Sequence, residues 1–136
     1  MNSRNHEPTK TIAKEIRSEL KSKFPTCTFS VTSDHSEIRV TLMSWDKSPF
    51  QDGSRTGYEQ LNHYYLDNYL EEYYYRPASW EGVKCLTPEA VEMLKEVVRI
   101  ANRKNWDDSD IQTDYFSCHY YFSLHIGKWD KEFSVI

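Results

Sequence analysis

Ile111-Gln112-Thr113-Asp114-Tyr115-Phe116-Ser117-Cys118-His119-Tyr120-Tyr121-Phe122-Ser123-Leu124-His125-Ile126 is the stretch on which the fold turns. It is dense in aromatic and β-favouring residues, and along a strand successive side chains point to opposite faces. One parity holds Phe116, Cys118, Tyr120, Phe122, Leu124 and Ile126, a nearly unbroken apolar row. The other holds Tyr115, Ser117, His119, Tyr121, Ser123 and His125, a polar and aromatic row. A strand with one greasy and one wet face belongs to a sheet that helices cover on one side only.

The flanking segments supply those helices. Upstream, Thr87-Pro88-Glu89 has the form of a helix start: a hydroxyl N-cap, proline at the first helical position and an acid in the first turn. Val91, Leu94, Val98 and Ala101 then make one apolar stripe, widened by Met93, Val97 and Ile100, with Arg99, Arg103 and Lys104 near its end. At the other end of the chain, Ile12, Ile16 and Leu20 recur every four residues after Pro8 and Thr9, and Pro25 ends the pattern. Between them lies a β-hairpin. Cys27, Phe29 and Val31 alternate with hydroxyls, Ser33-Asp34-His35-Ser36 turns, and Ile38, Val40 and Leu42 alternate with Arg39 and Thr41. Gly127 to Lys131 reads as a turn, and Glu132 to Ile136 as a terminal strand with Phe133 and Val135 inward.

Two regions are less regular. Ser44 to Gly57 is a polar loop with no phosphate-binding glycine pattern. Tyr58 to Tyr75 carries seven tyrosines, and Tyr58, Leu61, Tyr65 and Tyr69 follow helical spacing. This predicts a helix packed at an edge of the domain. Its candidate partner surface is Tyr58, Tyr65, Tyr69 and Tyr73, tyrosine being enriched at interfaces.

The predicted class is therefore α+β: two layers, a mostly antiparallel sheet covered on one face by helices. At 136 residues the chain suits one domain with a core of its own. Residues 1–8 are expected to be a disordered tail and residues 9–136 a single α+β domain. The mean hydropathy of −0.78 is polar, so much of the core must come from the 15% aromatic share, which also argues against a disordered chain. No apolar run approaches membrane-spanning length and no leader pattern precedes the first helix, so a cytoplasmic location is expected, with no membrane partner.

Chemistry is weakly signalled. Cys27, Cys85 and Cys118 are scattered and odd in number, which predicts neither a disulfide framework nor a zinc site. The acids Asp107, Asp108, Asp110 and Asp114 fail the calcium-loop pattern, since Gln112 and Cys118 stand where glycine and glutamate are required. His119 and His125, six residues apart on one strand face, are too distant to share a metal. No cofactor and no metal are expected, and binding is expected over catalysis. The feature with a mechanism is the wet sheet face, whose candidate binding residues are Arg39, Tyr115, His119, Tyr121 and His125. Their types resemble the stacking platforms of single-strand binders. The net charge of −4 disfavours nucleic acid in general, and the lysines and arginine of the first helix (Lys10, Lys14, Arg17, Lys21, Lys23) are interspersed with Glu15 and Glu19.

Thr11-Ile12-Ala13-Lys14-Glu15-Ile16-Arg17-Ser18-Glu19-Leu20-Lys21, followed by Phe24-Pro25, Phe29-Ser30-Val31 and Ile38-Arg39-Val40, resembles the large polyvalent protein associated domain of the type numbered twenty-nine. This core runs from Thr9 to about Trp45. Asn105 to Asp110, with Ile126 to Lys131, is similar to the tail of small standalone members, some of them from Bacteroides-type bacteria. The resemblance implies an accessory domain of phages and conjugative elements, and it brings no catalytic residues. The functional expectation is a non-enzymatic interaction domain of a mobile genetic element with a protein partner. The alternative is single-stranded nucleic-acid binding through the polar aromatic sheet face.

Overall fold

The structure, a computed structural model, describes residues 7–51, 58–70, 85–105 and 119–136. Helix α1 (Thr9–Lys23) buries Ile12, Ala13, Ile16 and Leu20, the residues that the four-residue spacing places on one side. The Phe24 N–H closes the helix on the Leu20 carbonyl just before Pro25. Helix α2 (Pro88–Ala101) begins as the capping pattern requires: Thr87 Oγ1 accepts from the Ala90 N–H at 3.1 Å. Its buried side is Ala90, Val91, Met93, Leu94, Val97, Ile100 and Ala101.

Strands β1 (Thr28–Ser33) and β2 (Glu37–Trp45) form the predicted hairpin, with Val31 opposite Val40 and Thr32 opposite Arg39. Strand β3 (Glu59–Leu61), β4 (Tyr121–Ile126) and β5 (Ser134–Val135) complete one sheet in the order β1-β2-β4-β3. β5 continues along β2 beyond the end of β4, pairing Ser44 with Ser134 and Trp45 with Val135. The α+β class is observed, and the sheet is mixed. β1 and β3 are antiparallel to their neighbours, whereas β4 and β5 run parallel to β2. Parallel neighbours need a long crossover, and the chain between β2 and β4 supplies one that contains β3 and α2.

One face of this sheet is dry. Ile38, Val40, Leu42, Leu124 and Ile126 are fully buried in a single core with the apolar sides of α1 and α2. Tyr120 joins them, its hydroxyl donating to the Ala101 carbonyl at the end of α2. Cys27 lies at the margin of the same core with its Sγ 3.4 Å from the Met93 sulfur, and burial pushes its thiol up to about 11.

The tyrosine segment departs from expectation. Glu59–Leu61 is a strand rather than the first turn of a helix, because its backbone pairs with β4. A 3₁₀ helix follows (His63–Leu70), kinked at Tyr65, where φ is −124° and ψ is 41°. Apolar residues three to four apart serve a 3₁₀ helix, whose period is three, as readily as an α-helix. Among the described residues no helix is long and apolar enough to cross a membrane.

Candidate functional site

The other face of the sheet is built from the wet parity of each strand. Cross-strand neighbours share a face, and the register sets Thr32 beside Arg39 and Arg39 beside Ser123. One pleat further along, Thr41 lies beside His125 and His125 beside Gln60. Glu37, with its carboxylate 3.5 Å from the Arg39 guanidinium, lies beside Tyr121 at the open end.

This face is open at one end and roofed at the other. Tyr121 is 59% exposed, whereas His125, four residues on, is only 2% exposed and Thr41 is as deeply covered. Two segments lie over that end. Tyr58, just before β3, stacks on the His125 ring with centroids 5.9 Å apart and planes 17° from parallel. The turn after β4 lies beside it. Gly127 takes a positive φ of 72°, a conformation glycine adopts without steric cost, and its N–H donates to the Leu42 carbonyl. Lys128 and Lys131 then exchange backbone hydrogen bonds, which lifts Trp129 to the tip, 85% exposed. Between these segments and the strands is a cleft of about 180 Å³, lined by Thr32, Arg39, Thr41, Tyr58, His125 and the turn Gly127–Asp130.

His125 is the unusual group of the cleft. Among the described residues neither ring nitrogen has a hydrogen-bond partner, and the neighbouring Ser123 Oγ is likewise buried without one. A buried polar atom left unpaired costs roughly 1–3 kcal/mol, so native structures hold few of them. Burial, and secondarily the Arg39 charge, holds the His125 imidazole down to about 4, so the ring is neutral at physiological pH. A neutral imidazole offers one donor and one acceptor.

The residues expected to form two separate surfaces are thus redistributed. Arg39 and His125 share the cleft with Tyr58, which was expected on a helix face. Tyr121 lies on the open sheet beyond it. His119 is not on the sheet: the chain bends before β4, and its ring nitrogens face the Glu7 carbonyl at 2.7 Å and the Lys104 carbonyl at 3.2 Å. There it joins the N-terminal end of α1 to the segment after α2, where Lys104 also pairs with Glu7 and Glu15. Tyr69 is a core residue whose hydroxyl accepts from the Asn62 N–H at 3.1 Å, while Tyr64 and Tyr65 are exposed. Tyr73 and Tyr115 lie outside the described residues, as do the acids from Asp107 to Asp114. Thr41, Ser123 and Trp129 were not singled out. Alternation marks the first two as wet-face residues, and a turn-tip tryptophan was the available signal for the third. Among the described residues no cluster of histidine, cysteine and acidic side chains could hold a metal ion.

Compared with known families, residues 7–123 match the family model described as large polyvalent protein associated domain 29. The match extends well past the Thr9–Trp45 core of the motif and stops within β4. No curated protein and no solved structure matches the chain.

Proposed function

Since the chain belongs to the large polyvalent protein associated domain 29 family, we propose that it is a non-enzymatic accessory domain of a mobile genetic element that acts by contact. The contact surface is the open sheet face around the Tyr58–His125 cleft. The observation that supports this most is His125, buried in a cleft wall with both nitrogens unpaired. A group held at that cost is explained by a partner that supplies the missing hydrogen bonds. Its surroundings favour contact over catalysis. Among the described residues no carboxylate hydrogen-bonds to the neutral ring, and the Cys27 thiol, with its pKa raised, sits on the core side against Met93.

A second reading places a protein partner on the 3₁₀ segment, and the exposure of Tyr64 and Tyr65 there favours it. Co-purification from cells carrying the element separates the two. Arg39→Ala with Tyr58→Ser is expected to strip the bound partner, and Tyr64→Ser with Tyr65→Ser to leave it in place. The reverse result assigns contact to the 3₁₀ segment and removes the cleft from consideration.

A further inference from the structure

We infer that the cleft receives one heteroaromatic ring of a nucleotide, with Tyr58 as its stacking wall and His125 reading its edge. The inference rests on the cleft being the contact surface and adds the chemistry of its occupant. Size is the first constraint: about 180 Å³ holds a single ring system and is well below the volume of a drug-sized site. Hydrogen-bonding capacity is the second. The imidazole lining the cleft has one donor and one acceptor, both unpaired among the described residues and both covered until Tyr58 shifts from its face. A carboxylate only accepts and an ammonium only donates, whereas the edge of a nucleobase does both.

The walls agree with a flat guest. Tyr58 already stacks a ring plane against His125, and Trp129 of the same lining is an exposed second aromatic surface. Stacking of this kind tolerates any base, because every base has a π-face. Arg39 and Lys128 in the lining are the groups a phosphate next to the ring would meet, in competition with Asp130 of the same lining and with Glu37, which pairs with Arg39. Tyr121 lies four residues from His125 on the same face, roughly 13 Å away. That second exposed ring would meet a base further along a strand than the next one, which favours a single strand over a free nucleotide as the source of the ring.

Calorimetric titration of the full chain at low salt tests this with four probes: the nucleoside monophosphates, ribose 5-phosphate, inorganic phosphate, and single-stranded tetranucleotides of DNA and RNA. Monophosphates are expected to bind and ribose 5-phosphate and phosphate to fail, with tetranucleotides tighter than monophosphates. His125→Phe keeps the ring and removes its nitrogens, and should weaken binding roughly tenfold or more. Because that site is buried, the exposed Arg39→Gln gives an independent reading and should reduce the salt dependence of tetranucleotide binding. Equal binding of phosphate and nucleotide, or unchanged affinity in His125→Phe, overturns the inference. Monophosphates binding as tightly as tetranucleotides would assign the ring to a free nucleotide. If no probe binds, the nucleotide is wrong, while the co-purification result still decides whether the cleft is the contact surface.

Discussion

Leu124 and His125 are adjacent on β4 and almost equally hidden from solvent, at 0% and 2% exposure. They are hidden for opposite reasons. Leu124 faces a core of aliphatic side chains from β2, α1 and α2, where its burial contributes directly to stability. His125 faces a cleft roofed by one tyrosine and a four-residue turn, where its nitrogens find no partner and its burial costs stability. The dry face shows what holds the fold together, and the wet face shows where the fold carries a cost that its stability does not explain. Depth alone does not separate structure from function. What separates them is whether the buried atoms are satisfied.

The contrast is breakable by experiment. Leu124→Ala should lower the unfolding free energy most, by about 2–5 kcal/mol, because it leaves a cavity in a close-packed core. Urea denaturation measures this, and a loss comparable to that of a surface substitution would remove the distinction between the faces.

A pH series probes the other side of the strand. The folded pKa of His125 lies near 4, below its ordinary 6.5, so between those values the unfolded chain binds more protons. Stability is complete above about 6.5 and is lost as the pH falls through that window, by about 3 kcal/mol in total. His63, which burial also shifts downward and which meets Phe122 edge-on at 4.9 Å, acts in the same direction. His125→Phe should flatten most of the slope while leaving stability at pH 7 unchanged or raised, since it removes two unpaired buried atoms. A loss at pH 7 as large as that of Leu124→Ala would mean that the nitrogens are bonded in solution.

Tyr58→Ala sharpens the same point with a smaller effect. Opening the roof readmits water to His125, so its NMR-observed pKa should move back toward 6.5 with little change in stability at pH 7. Arg39→Gln should raise that pKa least, because the guanidinium is the secondary cause of its depression. A larger shift in Arg39→Gln than in Tyr58→Ala would reverse the assignment of burial as the main cause.

Much of the architecture was legible because its signals are local. The capping of α2 by Thr87, the spacing of Ile12, Ile16 and Leu20, and the alternation in β1, β2 and β4 each depend on neighbours within a few residues. The tyrosine segment was misread for the complementary reason. Whether Glu59–Leu61 coils or extends is decided by β4, more than sixty residues away, and the spacing of Tyr58, Leu61, Tyr65 and Tyr69 is compatible with either outcome. His119 was assigned to the strand by parity, but the chain bends before β4 begins and parity no longer applies.

The candidate site divides along the same line. Alternation alone placed Arg39, Tyr121 and His125 on a wet face, since a strand must turn every second side chain the same way. It could not show that Tyr58 and the Gly127–Asp130 turn would lie over one end of that face and leave the other open. That depends on the parallel pairing of β2 with β4, which sets Thr41 beside His125, and on β3 closing the edge. Strand pairing is a contact between distant segments, stabilised by backbone hydrogen bonds that every residue but proline can make. The side-chain pattern therefore selects the face, and only the assembled sheet selects the neighbours.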